Sequence, residues 1–178
     1  MNIKPSFKGI FLLLTTVVSS QIFAQSDELK KLSFKVGEWR LETTGLVVPG
    51  DPKMYQGVGY SNHYYINDST ALLDDHRFEW ENGTIYRAIT YRTFDPNSGR
   101  YLVVWAQAGT SNTLQIDGNW EGEIFVEKST GKDGYGVWND RLEVFDITEN
   151  SHKAKLIRRY DSGYSLTILE YSATRIIR

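Results

Sequence analysis

Most of the chain alternates between apolar and polar residues with the period of two that is typical of β-strands. About ten such runs follow one another from residue 37 onward, separated by clusters of residues that favour turns. Connections are expected at PGDP, NDST, ENG, DPNSG, GTSN, DGN, TGKDGYG, TENS and DSG. Since none of them is long enough for the crossover of a parallel βαβ unit, the pattern predicts an antiparallel meander.

A meander leaves two unpaired edges unless its first strand pairs with its last. Ten strands tilted by about 45° would close into a barrel with a backbone radius of about 11 Å. After inward side chains are allowed for, the interior has room for one small ligand and not for a channel. A two-sheet sandwich is the alternative, but the short connections and sequential order favour a single antiparallel up-and-down β-barrel.

The segment before the first strand, SDELKKLSF, predicts a short helical turn. Ser26 is suited to be its N-cap, and Leu29 and Leu32 would face inward. The glycine-rich TGKDGYG has neither the spacing of a phosphate-binding loop nor a helix after it, so it is interpreted as a flexible hairpin loop.

The N-terminal segment has the composition of a secretory signal peptide. Lys4 and Lys8 flank the start of the apolar run GIFLLLTTVV, and Ala24 suits the position before a cleavage site. The apolar run is shorter than the roughly 20 residues that span a membrane, so an uncleaved anchor is the less favoured alternative. We therefore expect a signal peptide at 1–24, one domain at 25–178, an exported protein in the periplasm or outside the cell, and no membrane insertion after cleavage.

The amino-acid composition excludes some classes of function and favours others. The 178 residues include no cysteine, which excludes disulfides and thiol catalysis. Removing Lys4 and Lys8 leaves 18 basic residues against 22 acidic ones and no basic run, so nucleic acid is not an expected partner. Aromatic residues make up 13% of the chain, and such residues favour strands and line pockets. A small molecule is the expected partner, no cofactor is expected, and the sequence predicts no oligomeric state.

Two histidines and an aspartate are predicted to meet on the second and third strands. Pairing these strands across NDST sets His63 opposite Asp74 and Ser61 opposite His76, and His63, Asp74 and His76 share one face. Phe78 and Trp80 continue that face, which indicates that it looks into the barrel. Such a cluster could hold a metal or provide a base with an orienting acid, but a hydrogen-bonded polar patch is the favoured interpretation. A register slip of one residue would separate the three side chains.

Two further positions are predicted to line the interior. Trp105 shares its face with Tyr101 and Val103, and Arg158 shares its face with Leu156 and Tyr160. A buried arginine needs an anion, which could be a ligand carboxylate, although a salt bridge within the protein is favoured. His152 begins a strand after TENS and is expected to be exposed.

The GEW motif at the first strand and the last strand together resemble the calycin (lipocalin-like) pattern. In that pattern the tryptophan, here Trp39, packs beside a late arginine, here Arg175, at the closed end of the barrel. The segments LLDDHR, FDPNSGRYLVVWA, VFDITENS and RRYDSGYS resemble a mostly uncharacterised family of exported bacterial proteins. This chain has His76 where those proteins tend to have an aromatic residue. The resemblance implies the barrel fold and gives Gly37, Trp39 and Arg175 structural roles, but it implies little about activity.

Three hypotheses about function follow. The first is a barrel that binds a small, partly apolar ligand in an aromatic-lined pocket without catalysis; its predicted binding residues are His63, Asp74, His76, Phe78, Trp105 and Arg158. The second is an enzyme that uses the His63, Asp74 and His76 cluster, with or without a metal. The third is a barrel filled by its own side chains that acts through its surface. Because the sequence contains no hydrolase elbow or zincin motif, no catalytic residue is assigned.

Overall fold

The computed structural model describes residues 27–48 and 50–178. The predicted signal peptide at 1–24 and the predicted N-cap Ser26 lie outside these residues. Residues 27–30 are helical, and a 3-10 helix follows at Ser33–Lys35. No helix in the described part of the chain is long and apolar enough to cross a membrane.

Ten strands form one closed antiparallel barrel in which every strand pairs with its neighbours in sequence and β1 pairs with β10. This confirms the predicted up-and-down barrel and excludes the sandwich. The strands are β1 Gly37–Leu46, β2 Met54–Ile66, β3 Ala71–Trp80, β4 Ile85–Asp95, β5 Arg100–Gln107, β6 Thr113–Glu121, β7 Ile124–Asp133, β8 Gly136–Phe145, β9 Ser151–Tyr160 and β10 Ser165–Arg175.

The helical segment closes one end of the barrel. Leu29 and Leu32 are fully buried there, as predicted from their spacing. They pack against inward residues at the near ends of the strands, such as Tyr101 and Phe125. The Tyr101 hydroxyl donates a hydrogen bond of 2.8 Å to the carbonyl of Glu28, which fixes the helical turn over the strands. We call this the closed end, and the other the open end.

Gly37, Trp39 and Arg175 meet at the closed end in the manner that the calycin resemblance implies. The Arg175 guanidinium lies 4.3 Å from the centre of the Trp39 ring, and the indole nitrogen of Trp39 donates a 2.6 Å hydrogen bond to the carbonyl of Lys35. Gly37 has a φ of +121°, and a Cβ atom there would lie 2.5 Å from Arg175 Nη1. Only glycine fits both restrictions, because its missing side chain leaves room for the guanidinium.

Two predicted connections are parts of strands. The DGN segment lies inside β6, and the first four residues of TGKDGYG continue β7, so that only Gly134 and Tyr135 connect β7 to β8. Gly118 and Gly131 do not make turns here but leave space for rings inside the barrel. A Cβ atom at Gly118 would lie 3.1 Å from Phe125 Cζ, and one at Gly131 would collide with the Trp138 indole.

The expectation that His152 is exposed was wrong. Only 3% of this residue is accessible, and its ring lies against Trp39, Phe34 and Tyr171, with centroid separations of 4.7, 5.7 and 5.9 Å. His152 pairs with Ala173 on the inward face of β9, where the closed end is already filled by aromatic residues. Because β9 is already paired with β10 where it begins, its first inward side chain, that of His152, is buried in the interior.

Candidate functional site

The predicted pairing of β2 with β3 matches the structure. His63 is the partner of Asp74, and Ser61 is the partner of His76. The three predicted side chains therefore lie together inside the barrel: Asp74 is completely buried, His63 is 4% accessible, and the His76 side chain retains 17% of its surface. Their roles in binding remain predictions.

Asp74 belongs to a buried charge network that sequence reasoning missed. Arg92 on β4 forms an ion pair with Asp74 through Nη1, and its Nε donates a 2.6 Å hydrogen bond to Oε1 of Glu127 on β7. Arg92 and Glu127 are each at most 4% accessible. One guanidinium thus joins carboxylates from two separate strands across the interior.

Burial and pairing act in opposite directions on these groups. Burial alone would raise the pKa of Asp74, but Arg92, and then His63, hold that pKa well below its usual value. Burial also disfavours the charge on Arg92, yet Asp74 and Glu127 together raise its pKa above the ordinary value. The ion pairs therefore keep both groups charged in spite of their burial.

His63 connects Asp74 to Ser61. Its Nδ1 lies 2.9 Å from Asp74 Oδ1, although the two atoms do not have the geometry of a hydrogen bond, and its Nε2 lies 2.7 Å from Ser61 Oγ. Burial lowers the pKa of His63, so the ring is neutral at neutral pH. The register prediction placed Ser61 opposite His76 correctly, but its contact with His63 was not predicted; its place two residues before His63 on the same strand face was the available signal.

His76 lies at the boundary between this network and the open half of the interior. Its Nε2 is 3.2 Å from Thr90 Oγ1 and 3.8 Å from Asp74 Oδ2. Its Nδ1 has no hydrogen-bond partner among the described residues. Burial lowers the pKa of His76 to about 3, so that this ring, too, is neutral.

The arrangement does not favour the metal site or the acid–base pair that the cluster could have formed. Among residues 27–48 and 50–178, no group of three or more His, Asp or Glu side chains could hold a metal ion. The guanidinium of Arg92 forms an ion pair with the Asp74 carboxylate and would repel a metal cation bound to the same carboxylate. With a pKa of about 3, His76 is also too weak a base for efficient proton abstraction near neutral pH.

Aromatic rings extend from His76 toward the open end. Phe78 stacks on His76 and on Trp80, with centroid separations of 6.2 and 6.1 Å. Tyr86 on β4 contacts Phe78 and stacks on Trp105 of β5 at 6.2 Å. We call the residues His76, Phe78, Trp80, Tyr86 and Trp105 the aromatic wall.

The rest of the open half is lined by aliphatic side chains that are only partly buried. Leu142 pairs with Glu127 on one side and with Leu156 on the other, which places all three side chains on the inward face. The partly accessible apolar residues of this face are Leu114, Ile116, Leu142, Leu156, Leu166 and Leu169. At the closed end, by contrast, the inward Phe125 and Val144 are completely buried. Since partial exposure inside a closed barrel requires empty space, the interior is open next to these residues.

Arg158 lies near the open end and is paired within the protein. Its Nε and Nη2 donate hydrogen bonds of 2.7 and 2.8 Å to the two oxygens of Asp140, and its guanidinium lies 3.9 Å from the centre of the Trp138 ring. Tyr160 donates a 2.9 Å hydrogen bond to Asp133 beside this pair. The favoured salt bridge thus exists, and it leaves 22% of the Arg158 side chain accessible.

Comparison with known proteins supports the fold. No protein-family model matches the chain, and neither does any curated protein sequence. Rv2717c from M. tuberculosis is similar in structure, with a TM-score of 0.59 and 12% identity over 84% of this chain and 97% of the other. The S-type phycobiliprotein lyase CPES from Guillardia theta is also similar, with a TM-score of 0.56 and 10% identity over 84% of this chain and 92% of the other. At these identities the likeness shows the fold alone, and it agrees with the closed lipocalin-like barrel predicted from the sequence.

Proposed function

We propose that this protein binds a small, partly apolar molecule inside its barrel, between the aromatic wall and the aliphatic residues that face it, without catalysing a reaction. The observation that carries this proposal is the contrast between the two halves of the interior. At the closed end, inward side chains such as Phe125 and Val144 are completely buried, whereas the inward leucines and Trp80, Tyr86 and Trp105 of the open half retain accessible surface.

The chemistry of the lining fits this class of ligand. Aromatic side chains bury a large apolar area and lose little conformational freedom, because their χ angles are few. Trp80, Tyr86 and Trp105 already stack within the aromatic wall and would offer their remaining faces to a ring or chain of the ligand. His76 and the charge network beneath them supply polar groups that fix the orientation of a bound molecule.

The proposal rests on this interior and not on similarity to other proteins. One similar structure is a phycobiliprotein lyase, but at 10% identity the likeness shows only the fold. The enzyme hypothesis receives no support from the geometry, since Asp74 is engaged by Arg92 and its neighbouring histidines are neutral.

Filling the cavity tests the proposal. Leu156→Trp adds an indole to the inward face of β9, and we expect it to weaken binding of the neutral fluorescent probe N-phenyl-1-naphthylamine about tenfold or more, because the space for the probe is lost. Fluorescence titration of the purified protein measures this. The matched control is Leu102→Trp on β5, where the side chain points outward and is 44% accessible; it should leave probe affinity unchanged.

Equal probe affinity of the Leu156→Trp and Leu102→Trp proteins, both folded by circular dichroism, would show that the probe binds elsewhere. Failure of the unmodified protein to bind the probe at all would favour a barrel filled by its own side chains.

Export is a further part of the proposal. If the segment 1–24 is a signal peptide, the intact mass of the protein recovered from the periplasm or medium will correspond to a chain that begins at Gln25. A full-length mass would contradict removal of this segment.

A further inference from the structure

Lys35 is a buried lysine whose charge lies inside the barrel. The residue ends the 3-10 helix at the closed end and is only 2% accessible. Its ammonium interacts electrostatically with Arg92, Asp74 and Glu127, and it also affects His63 and His152. These are inward residues of β4, β3, β7, β2 and β9, so the side chain extends from beneath the barrel toward its axis.

The ammonium of Lys35 has no hydrogen-bond or ion-pair partner among residues 27–48 and 50–178. The carboxylates nearest to it are engaged elsewhere, since Asp74 and Glu127 both bind Arg92. The ammonium lies over the Phe34 ring, 5.7 Å from Nζ to the centroid. Because Nζ is unpaired and is not one of the completely enclosed polar atoms, it keeps a small accessible surface. The Lys35 ammonium therefore lacks the hydrogen-bond acceptors that water would provide if the side chain were exposed.

The open part of the interior extends to the depth of this network. Leu142 and Leu156, which are partly accessible, lie beside Glu127 in the sheet. Ile116, also partly accessible, pairs with Val103, which in turn pairs with Arg92. A molecule that occupies the cavity would therefore have its inner end close to the charges of the network.

The charges of this network are balanced before any ligand arrives. Arg92 and Lys35 carry two positive charges, Asp74 and Glu127 carry two negative charges, and the surrounding histidines are neutral. An anionic ligand would leave an excess negative charge in a medium of low dielectric constant, next to two carboxylates. A neutral acceptor would satisfy the ammonium without disturbing this balance.

We propose that Lys35 donates a hydrogen bond to a neutral acceptor, such as an amide or ketone carbonyl oxygen, at the inner end of the ligand. This inference rests on the proposed binding function and adds the chemical class of the ligand's inner group. Burial lowers the pKa of Lys35 to about 8, so the side chain is still mostly a charged donor at pH 7. Hydrogen bonds to charged groups are stronger than neutral ones, which makes this contact a determinant of specificity.

Three naphthalene compounds of similar size separate the possibilities. N,N-dimethyl-2-naphthamide carries a strong neutral acceptor, 2-isopropylnaphthalene carries none, and 2-naphthoate is an anion. At pH 7 we expect the full chain to bind the amide about tenfold more tightly than the hydrocarbon, and also more tightly than the anion. Isothermal titration calorimetry measures the three affinities.

Substitution of Lys35 identifies the donor. Lys35→Met keeps the length of the side chain but removes the ammonium, and we expect it to abolish the preference for the amide while the hydrocarbon still binds. Its melting temperature is expected to fall somewhat, because the network is left with one excess negative charge, and circular dichroism at the titration temperature checks that the variant is folded. The matched control is Lys31→Met, since Lys31 is exposed and pairs with Glu28; it should retain the preference.

The outcomes distinguish this inference from the proposed function. Equal binding of the amide and the hydrocarbon would overturn the role of Lys35 and leave the binding function standing. Tightest binding of 2-naphthoate would overturn the neutral acceptor in favour of an anion. A preference for the amide that survives in Lys35→Met would assign the contact to another donor. If none of the three compounds binds, the proposed function fails, and this inference fails with it.

Discussion

Replacing Arg92 by methionine is expected to destabilise the protein by about 3–5 kcal/mol, because it leaves two buried carboxylates without a counter-charge. Asp74 and Glu127 are accessible to at most 4% and both bind the Arg92 guanidinium, so neither can recover its hydration when the guanidinium is removed. Urea unfolding at pH 7.5, followed by tryptophan fluorescence, gives the change in the free energy of unfolding.

Two comparison proteins make this result specific. Arg100→Met removes an exposed arginine that lies 3.6 Å from Asp117, and it should change the free energy of unfolding by no more than about 0.5 kcal/mol. Replacing Arg92 and Asp74 together by Met and Asn should recover part of the lost stability, since Glu127 then remains to balance the Lys35 ammonium. A loss of less than about 1 kcal/mol in Arg92→Met would mean that the network is hydrated or differently paired.

Lowering the pH from 7.5 to 5.5 is expected to destabilise the protein markedly. His63, His76 and His152 are buried as neutral rings, and burial lowers their pKa values, to about 3 for His76 and about 2 for His152. In the unfolded chain they take up protons near pH 6.5, so the unfolded state binds more protons and stability falls as the pH falls below 6.5. His76 and His152 each contribute about 1.4 kcal/mol per pH unit until the pH approaches their folded-state pKa values, and His63 adds to the loss in the same direction.

The pH dependence of the free energy of unfolding, measured with urea at half-unit intervals, tests this expectation. The low pKa of Asp74 adds a loss of stability only below about pH 4, so the histidines dominate the range from 6.5 to 5. His152→Phe should fit among Trp39, Phe34 and Tyr171 and should reduce the slope in this range by about 1.4 kcal/mol per pH unit. Stability that stays constant between pH 7.5 and 5.5 would show that the rings are hydrated in the folded protein.

The fold could be predicted because alternation and turn chemistry are local signals. Each strand of an antiparallel meander is specified by its own period-two pattern, and each neighbour by a short connection. The register of β2 and β3 followed from the turn at NDST, where Asn67, Asp68 and Ser69 have positive φ angles of 51°, 53° and 65°. This is why His63 and Asp74 could be placed opposite each other before the structure was known.

The wrong turn assignments came from glycines that have a packing role. Gly118 and Gly131 have turn-forming neighbours in the sequence, yet each sits in a strand opposite a large ring, Phe125 and Trp138 respectively. A glycine that makes room for an aromatic residue on the next strand leaves no local trace in the sequence. The same long-range packing buries His152, whose surroundings come from β1, β10 and the helical segment.

The interior charges were missed for a related reason. Arg92 shares the inward face of β4 with Thr90 and Phe94, and Glu127 shares that of β7 with Phe125, so alternation could have marked both as inward. Alternation could not predict that the two side chains form an ion pair, because β4 and β7 are not neighbours in the sheet and these side chains meet only across the interior of the barrel. Lys35 lies outside the strands, and no periodic pattern predicts that its side chain enters the interior.

A crystal structure of the protein soaked with N,N-dimethyl-2-naphthamide tests the central claim most directly. The account predicts electron density for the naphthalene ring inside the barrel between Trp105 and Leu156, with the carbonyl oxygen within hydrogen-bonding distance of Lys35 Nζ. An interior filled by the protein's own side chains, with no density for the compound at a saturating concentration, would contradict it.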